Sequence, residues 1–193
     1  MIIISKKEWE FLFVVFLITI FFAFLPVIIG YIVALKTNSV FSFRSVVNWL
    51  DYPVYFSYIE QVKAGDFLFL NLFTSEDQSV LIFNPFWLGV GIFAKIFSFS
   101  ASVAFHLVRL FLTPILLIVA YFLVALFFQE ELKRKICFIF LLFSSGAFQI
   151  INPDAFFFSV IYQSPHFIAS LLLIISIFFV SILAFERYKI KYS

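Results

Sequence analysis

Residues 11–35 read FLFVVFLITIFFAFLPVIIGYIVAL, 25 positions without one charged side chain. A helix needs about 20 apolar residues to cross the ~30 Å hydrocarbon core of a bilayer, and this stretch exceeds that. The remainder of the chain is of the same kind. Of 193 residues, 64% are hydrophobic and only 12% are charged, with a mean hydropathy of +1.13. A soluble domain carries roughly twice that share of charge. Such a composition argues against a soluble enzyme, a disordered tail or a nucleic-acid-binding module. The single cysteine, Cys137, excludes an intrachain disulfide framework.

Three further stretches read as spans. Residues 101–128 are apolar apart from His106 and Arg109. Residues 136–151 are short and must borrow length from their flanks, and residues 165–185 open on Pro165, a good first helical residue. A fifth apolar stretch, 82–99, contains Asn84, Pro85, Gly89, Gly91 and Lys95. The distribution of basic residues decides its role, because cytoplasmic segments carry the excess of Lys and Arg. If 82–99 does not span, Lys6, Lys7, Lys133, Arg134, Lys135, Arg187, Lys189 and Lys191 all fall inside, against four basic residues outside. If it spans, three fall inside and nine outside, which inverts the rule. The stretch is therefore expected to lie in the outer interface, where Trp87 and its aromatic neighbours suit the headgroup level.

The expected fold is an all-α membrane protein with about four transmembrane helices and a large outer loop, 36–100, bearing interfacial helices at 53–64 and 82–99. The N-terminal run is too long for a cleaved signal and lacks an A-x-A site, so it reads as a signal anchor. The implied location is the plasma membrane, multi-pass, with both termini cytoplasmic.

The outer surface carries the polar chemistry. Six of eleven acidic residues fall there: Asp51, Glu60, Asp66, Glu76, Asp77 and Asp154. Residues 53–64, PVYFSYIEQVKA, place Val54, Tyr55, Tyr58, Ile59 and Val62 on one helical face, expected to lie down on the membrane. Asp51 precedes this helix, where a carboxylate is favoured by the helix N-terminus. It reads either as a cap alone or as a reactive group. Arg109 lies about eight residues into its span, where a charge costs at least ~2.5–3.5 kcal/mol on insertion scales unless it faces protein or water. Ser102, His106 and Thr113 share its helix face. That polar stripe either lines a cavity that binds phosphate or carboxylate, or makes an Arg–Asp pair between helices. Asp154 follows a turn at Asn152–Pro153, and His166 sits at a helix start. The histidines have no zinc-type spacing, although carboxylates could hold a hard divalent cation.

The ordered phrases are Asp51-Tyr-Pro-Val-Tyr55, Asn71-Leu-Phe-Thr-Ser-Glu76, Asn84-Pro85-Phe86, His106-x-x-Arg109, Pro153-Asp154 and Pro165-His166-Phe167. In this order and topology the chain resembles the N-terminal part of GT-C superfamily membrane glycosyltransferases that use polyprenyl-phosphate sugars, relatives of mannosyl- and arabinosyltransferases. The resemblance implies sugar transfer from a lipid-linked donor to an acceptor at the outer face of the cell envelope. It casts Asp51 as the catalytic base, and Arg109, His106, Glu76, Asp154 and His166 as substrate-binding groups. No cofactor beyond a divalent cation is implied. Relatives run longer and have more spans, so the resemblance implies a C-terminal half or partner subunit besides the membrane lipids; no nucleic acid is expected. Two alternatives come from other classes: a small polytopic transporter or flippase subunit, and a non-catalytic membrane assembly protein. The first requires a polar path through the bilayer, for which Ser144, Ser145, Ser176 and Ser181 are the best candidates.

Overall fold

The computed structural model describes residues 3–41, 50–77, 79, 82–144 and 157–192, with side chains to 185. Seven helices occur among them: α1 (Lys6–Thr37), α2 (Tyr52–Ala64), α3 (Pro85–Ile96), α4 (Ala101–Phe127), α5 (Glu131–Phe143), α6 (Phe157–Gln163) and α7 (Pro165–Tyr192). Among the described residues, strand-like pairing is limited to an isolated bridge between Phe69 and Ile82.

Three helices are long and apolar enough to cross a membrane: α1 with 32 residues, α4 with 27, and the 21-residue stretch Pro165–Phe185 of α7. The fourth expected span, 136–151, does not reach this length among the described residues. Its helix starts earlier, at Glu131, includes Lys133–Lys135, and runs for 13 residues. At 1.5 Å per residue that is about 20 Å, well short of a bilayer core. Residues 145–156, with the rest of that stretch and Asp154, lie outside the described residues. The 82–99 stretch forms α3, 12 residues and about 18 Å, too short to span.

The chain forms two compact units. Unit 1 comprises Met1–Phe21, Phe111–Tyr162 and Phe167–Ser193; unit 2 comprises Phe22–Leu110 and Gln163–His166. In unit 1 the start of α1 packs on the end of α4, with the Phe11 and Tyr121 rings 6.1 Å apart and Trp9 edge-on to Phe122 at 6.3 Å. Leu12 and Val15 are buried on the same face, whereas Phe13, Leu17 and Phe21 are exposed. This exposure suits a helix solvated by lipid, since hydrocarbon exerts no penalty on apolar side chains. Ser5 and Glu8 form a capping box. Glu8 N–H donates to Ser5 Oγ (3.2 Å), and Ser5 N–H donates to Glu8 Oε2 (2.7 Å). Two orphan donors of the helix start are satisfied in this way.

Unit 2 is built around the α2–α3 pair. Asn84 caps α3 by accepting from Phe86 N–H and Trp87 N–H at 3.1 and 3.2 Å, with Pro85 following it. Gly65 ends α2 at φ +118°, a conformation that a side chain would strain. Gly91 lets the two helices touch, because a Cβ there would stand 2.4 Å from Val62 Cβ. The apolar face of α2, expected on the membrane surface, is instead covered by protein. Ile59 and Val62 are buried, and Tyr55 stacks on Trp87 at 4.8 Å. The partner that the sequence could not name is α3, whose own apolar face needs the same cover.

Candidate functional site

The groups of interest in unit 2 gather on two sides of Phe105. On one side, Arg109 is fully buried and Thr113, on the same α4 face but in unit 1, is fully buried as well. The Arg109 guanidinium lies 4.1 Å from the centre of the Phe24 ring, and its Nη2 donates to the Ala23 carbonyl at 3.4 Å. The ring face offers the cation a negative quadrupole, and the carbonyl offers a dipole. His106 is 8% exposed, its ring 5.7 Å from Phe24 and 5.2 Å from Phe105. Of the stripe expected from spacing, His106, Arg109 and Thr113 are buried, while Ser102 is only half-buried. The stripe's contacts with α1, Ala23 and Phe24, are neutral ones.

On the other side, His166 at the start of α7 meets an aromatic cluster. Its ring lies 4.8 Å from Tyr55 and 5.5 Å from Trp87, and Trp87 stacks on Phe105 at 5.9 Å. His166 Nδ1 and Ser164 Oγ share a 2.7 Å hydrogen bond. Tyr52 Oη donates to the Gln163 carbonyl at 2.8 Å, tying α2 to the residues just before α7. The sequence reading singled out His166 but missed its aromatic setting. Tyr55 and Trp87 belong to different helices, and only their packing brings them to it.

Asp51 occupies the position before α2, as expected, and is exposed. Its carboxylate makes no capping hydrogen bond. The reason is backbone geometry: Asp51 has φ −82° and ψ −25°, whereas a capping side chain folds back from an extended residue. Its carbonyl instead accepts from Val54 N–H and Tyr55 N–H. Glu76 is exposed, in a turn where its N–H donates to Thr74 Oγ1 at 3.2 Å. Two other side chains between α1 and α4 have structural work. Glu60 pairs with Lys63 (2.8 Å) and accepts from Ala101 N–H (3.2 Å), an orphan donor at the start of α4. Gln61 mimics a strand by donating to the Leu70 carbonyl and accepting from Leu70 N–H.

Among the described residues no group of three or more His, Cys, Asp or Glu side chains could hold a metal ion. No protein-family model, curated protein or solved structure matches this chain.

Proposed function

We propose that the chain is a membrane component handling a polyprenyl-phosphate-linked sugar, in the manner of the N-terminal part of a GT-C glycosyltransferase. The observation that carries this reading is Arg109, fully buried in an apolar span beside His106. A guanidinium in such a place suits a phosphate through its planar fork of donors. Asp51, exposed before α2, is open to an acceptor hydroxyl from which it would take a proton. His166 and Glu76 are further contacts for the acceptor or donor, and Asp154 completes the set. A C-terminal half or partner subunit supplies whatever else the donor needs. Both termini face the cytoplasm of the plasma membrane in this reading. In its support, Glu8 of the Lys6–Lys7 segment pairs at 3.2 Å with Arg134 of the basic 133–135 segment, so those cations share one end of unit 1.

A second reading, the non-catalytic assembly protein, is favoured by one observation: Arg109 contacts a backbone carbonyl and a Phe ring of α1, as a helix-to-helix pin would. Two variants separate the readings. Sugar transfer from a polyprenyl-phosphate donor is assayed in membranes expressing the chain together with the reading frame that follows it. Donor retention by the purified chain is measured by native mass spectrometry. Asp51→Asn is expected to lower transfer by about 10²–10⁴-fold while leaving donor retention intact. Arg109→Met is expected to lose donor retention while the fold survives. Transfer unaffected by Asp51→Asn removes the catalytic role, and donor retention unaffected by Arg109→Met leaves Arg109 as a pin.

A further inference from the structure

In unit 1, Trp9, Phe13 and Phe16 of α1 face Pro114, Leu117 and Ile118 of α4 across a half-open groove of about 150 Å³ with an almost wholly apolar lining. Its cause lies in both sequences. Pro114, inside α4, lines the groove, and a proline there supplies no N–H to the helix and only a compact ring to fill the space towards α1. On α1 the groove residues stand at helical spacing beneath Lys6: positions 6, 9, 13 and 16 lie on one face. The lysine side chain is 92% exposed. Its contact to Glu10, at 3.9 Å with both ends in solvent, is too weak to withdraw it. Trp9 is 44% exposed and forms the wall of the groove nearest Lys6 along α1, and indole rings favour the bilayer interface. The groove residues of α1 extend over about 10 Å, within the depth of one leaflet.

The order along this face is therefore cation, indole, apolar trough. We propose that it is a binding site for one anionic glycerophospholipid, with the phosphate at Lys6 and an acyl chain in the groove under Trp9. Charge complementarity selects the headgroup. Both helices are long and apolar enough to span, so the groove opens to hydrocarbon and an acyl chain is what fills it. The proposal uses none of the residues assigned to the sugar donor and does not rest on that reading.

The test uses the full chain in nanodiscs containing equal phosphatidylglycerol and phosphatidylcholine, with retained lipid counted by native mass spectrometry after release. Wild type is expected to retain one phosphatidylglycerol in preference to phosphatidylcholine. Lys6→Gln is expected to reduce that preference about five-fold, the effect of one basic residue at an anionic surface. Ile118→Trp, which fills the trough, is expected to abolish retention of both lipids. Leu17→Trp, a lipid-facing change off the groove, serves as the folding control and is expected to retain lipid as wild type does. Equal retention of the two lipids by wild type, or undiminished retention by Ile118→Trp, overturns the proposal. So does a preference for polyprenyl phosphate over phosphatidylglycerol when both are supplied.

Discussion

Replacing Glu8 by Gln tests the polar knot that joins three helix ends in unit 1. Glu8 is 1% exposed. Its Oε1 accepts from Tyr121 Oη at 2.7 Å and stands 3.2 Å from Arg134 Nη1, while its Oε2 accepts from Ser5 N–H. Arg134, 9% exposed, also donates to the carbonyls of Ile3 (3.2 Å) and Gln129 (3.1 Å). Gln at position 8 keeps the shape and one acceptor oxygen but removes the charge. Arg134 is then held by two carbonyl dipoles with its counter-charge gone. Breaking a buried pair from one side costs about 3–5 kcal/mol. The hydrogen bonds that Gln retains put Glu8→Gln at the low end, about 3 kcal/mol by the same rule. Arg134→Met leaves the carboxylate with Tyr121 and Ser5 as donors, so its cost is smaller, about 2 kcal/mol. The double variant removes both charges together and is expected to lose less than the sum of the singles by about 2 kcal/mol. Equilibrium unfolding of the full chain in mixed micelles of mild detergent and SDS, followed by tryptophan fluorescence, measures all three. A loss below about 1 kcal/mol for Glu8→Gln, or additivity within about 0.5 kcal/mol, would refute the idea that these charges are desolvated and coupled.

Gly91→Ala is expected to destabilise the α2–α3 pair by about 1–3 kcal/mol, since the new methyl overlaps Val62 Cβ itself. Val62→Ala does not relieve that overlap and Val62→Gly does, so rescue by the alanine in the same unfolding assay would contradict the packing described. The Lys135 ammonium, first, and the Ser5 hydroxyl hold the Glu131 carboxyl below its usual range. A carboxyl depressed in the folded state stabilises above its unfolded value of 4.5 and loses that contribution as pH falls through the folded value. Melting midpoints should therefore fall below about pH 4.5 more steeply for wild type than for Glu131→Gln. Identical pH profiles would remove this linkage. Tyr52→Phe deprives the Gln163 carbonyl of a buried donor and should cost about 1 kcal/mol, read from the same unfolding curves. An unchanged midpoint would show that this bond carries no net stability.

Much of this protein was legible before any coordinates. The uncharged run 11–35 and the apolar runs from 101 and 165 became three long helices because spanning length is a local property of composition. The helices at 53–64 and 82–99 were legible from Pro, Asn and Gly punctuation, which acts on the backbone where it stands. The capping box is likewise local, since Ser5 and Glu8 stand three residues apart at the helix start. The stripe through Arg109 and His106 followed from helical spacing, because residues three and four apart must share a face.

Tertiary structure decided what each face meets. Spacing showed that α2 has an apolar side, but bilayer and protein satisfy such a side equally well; the close approach permitted at Gly91 gave it to α3. Spacing put Arg109 in the apolar slab, but the choice of Phe24 and Ala23 as neighbours depends on the register of α1 against α4. Glu8 and Arg134 are 126 residues apart, and no pattern in the chain pairs them. By itself the sequence determined which segments are helices and which side chains are costly to bury in lipid. Packing determined where those costly groups find compensation, because charge and hydrogen-bond partners are supplied across helices, not along them.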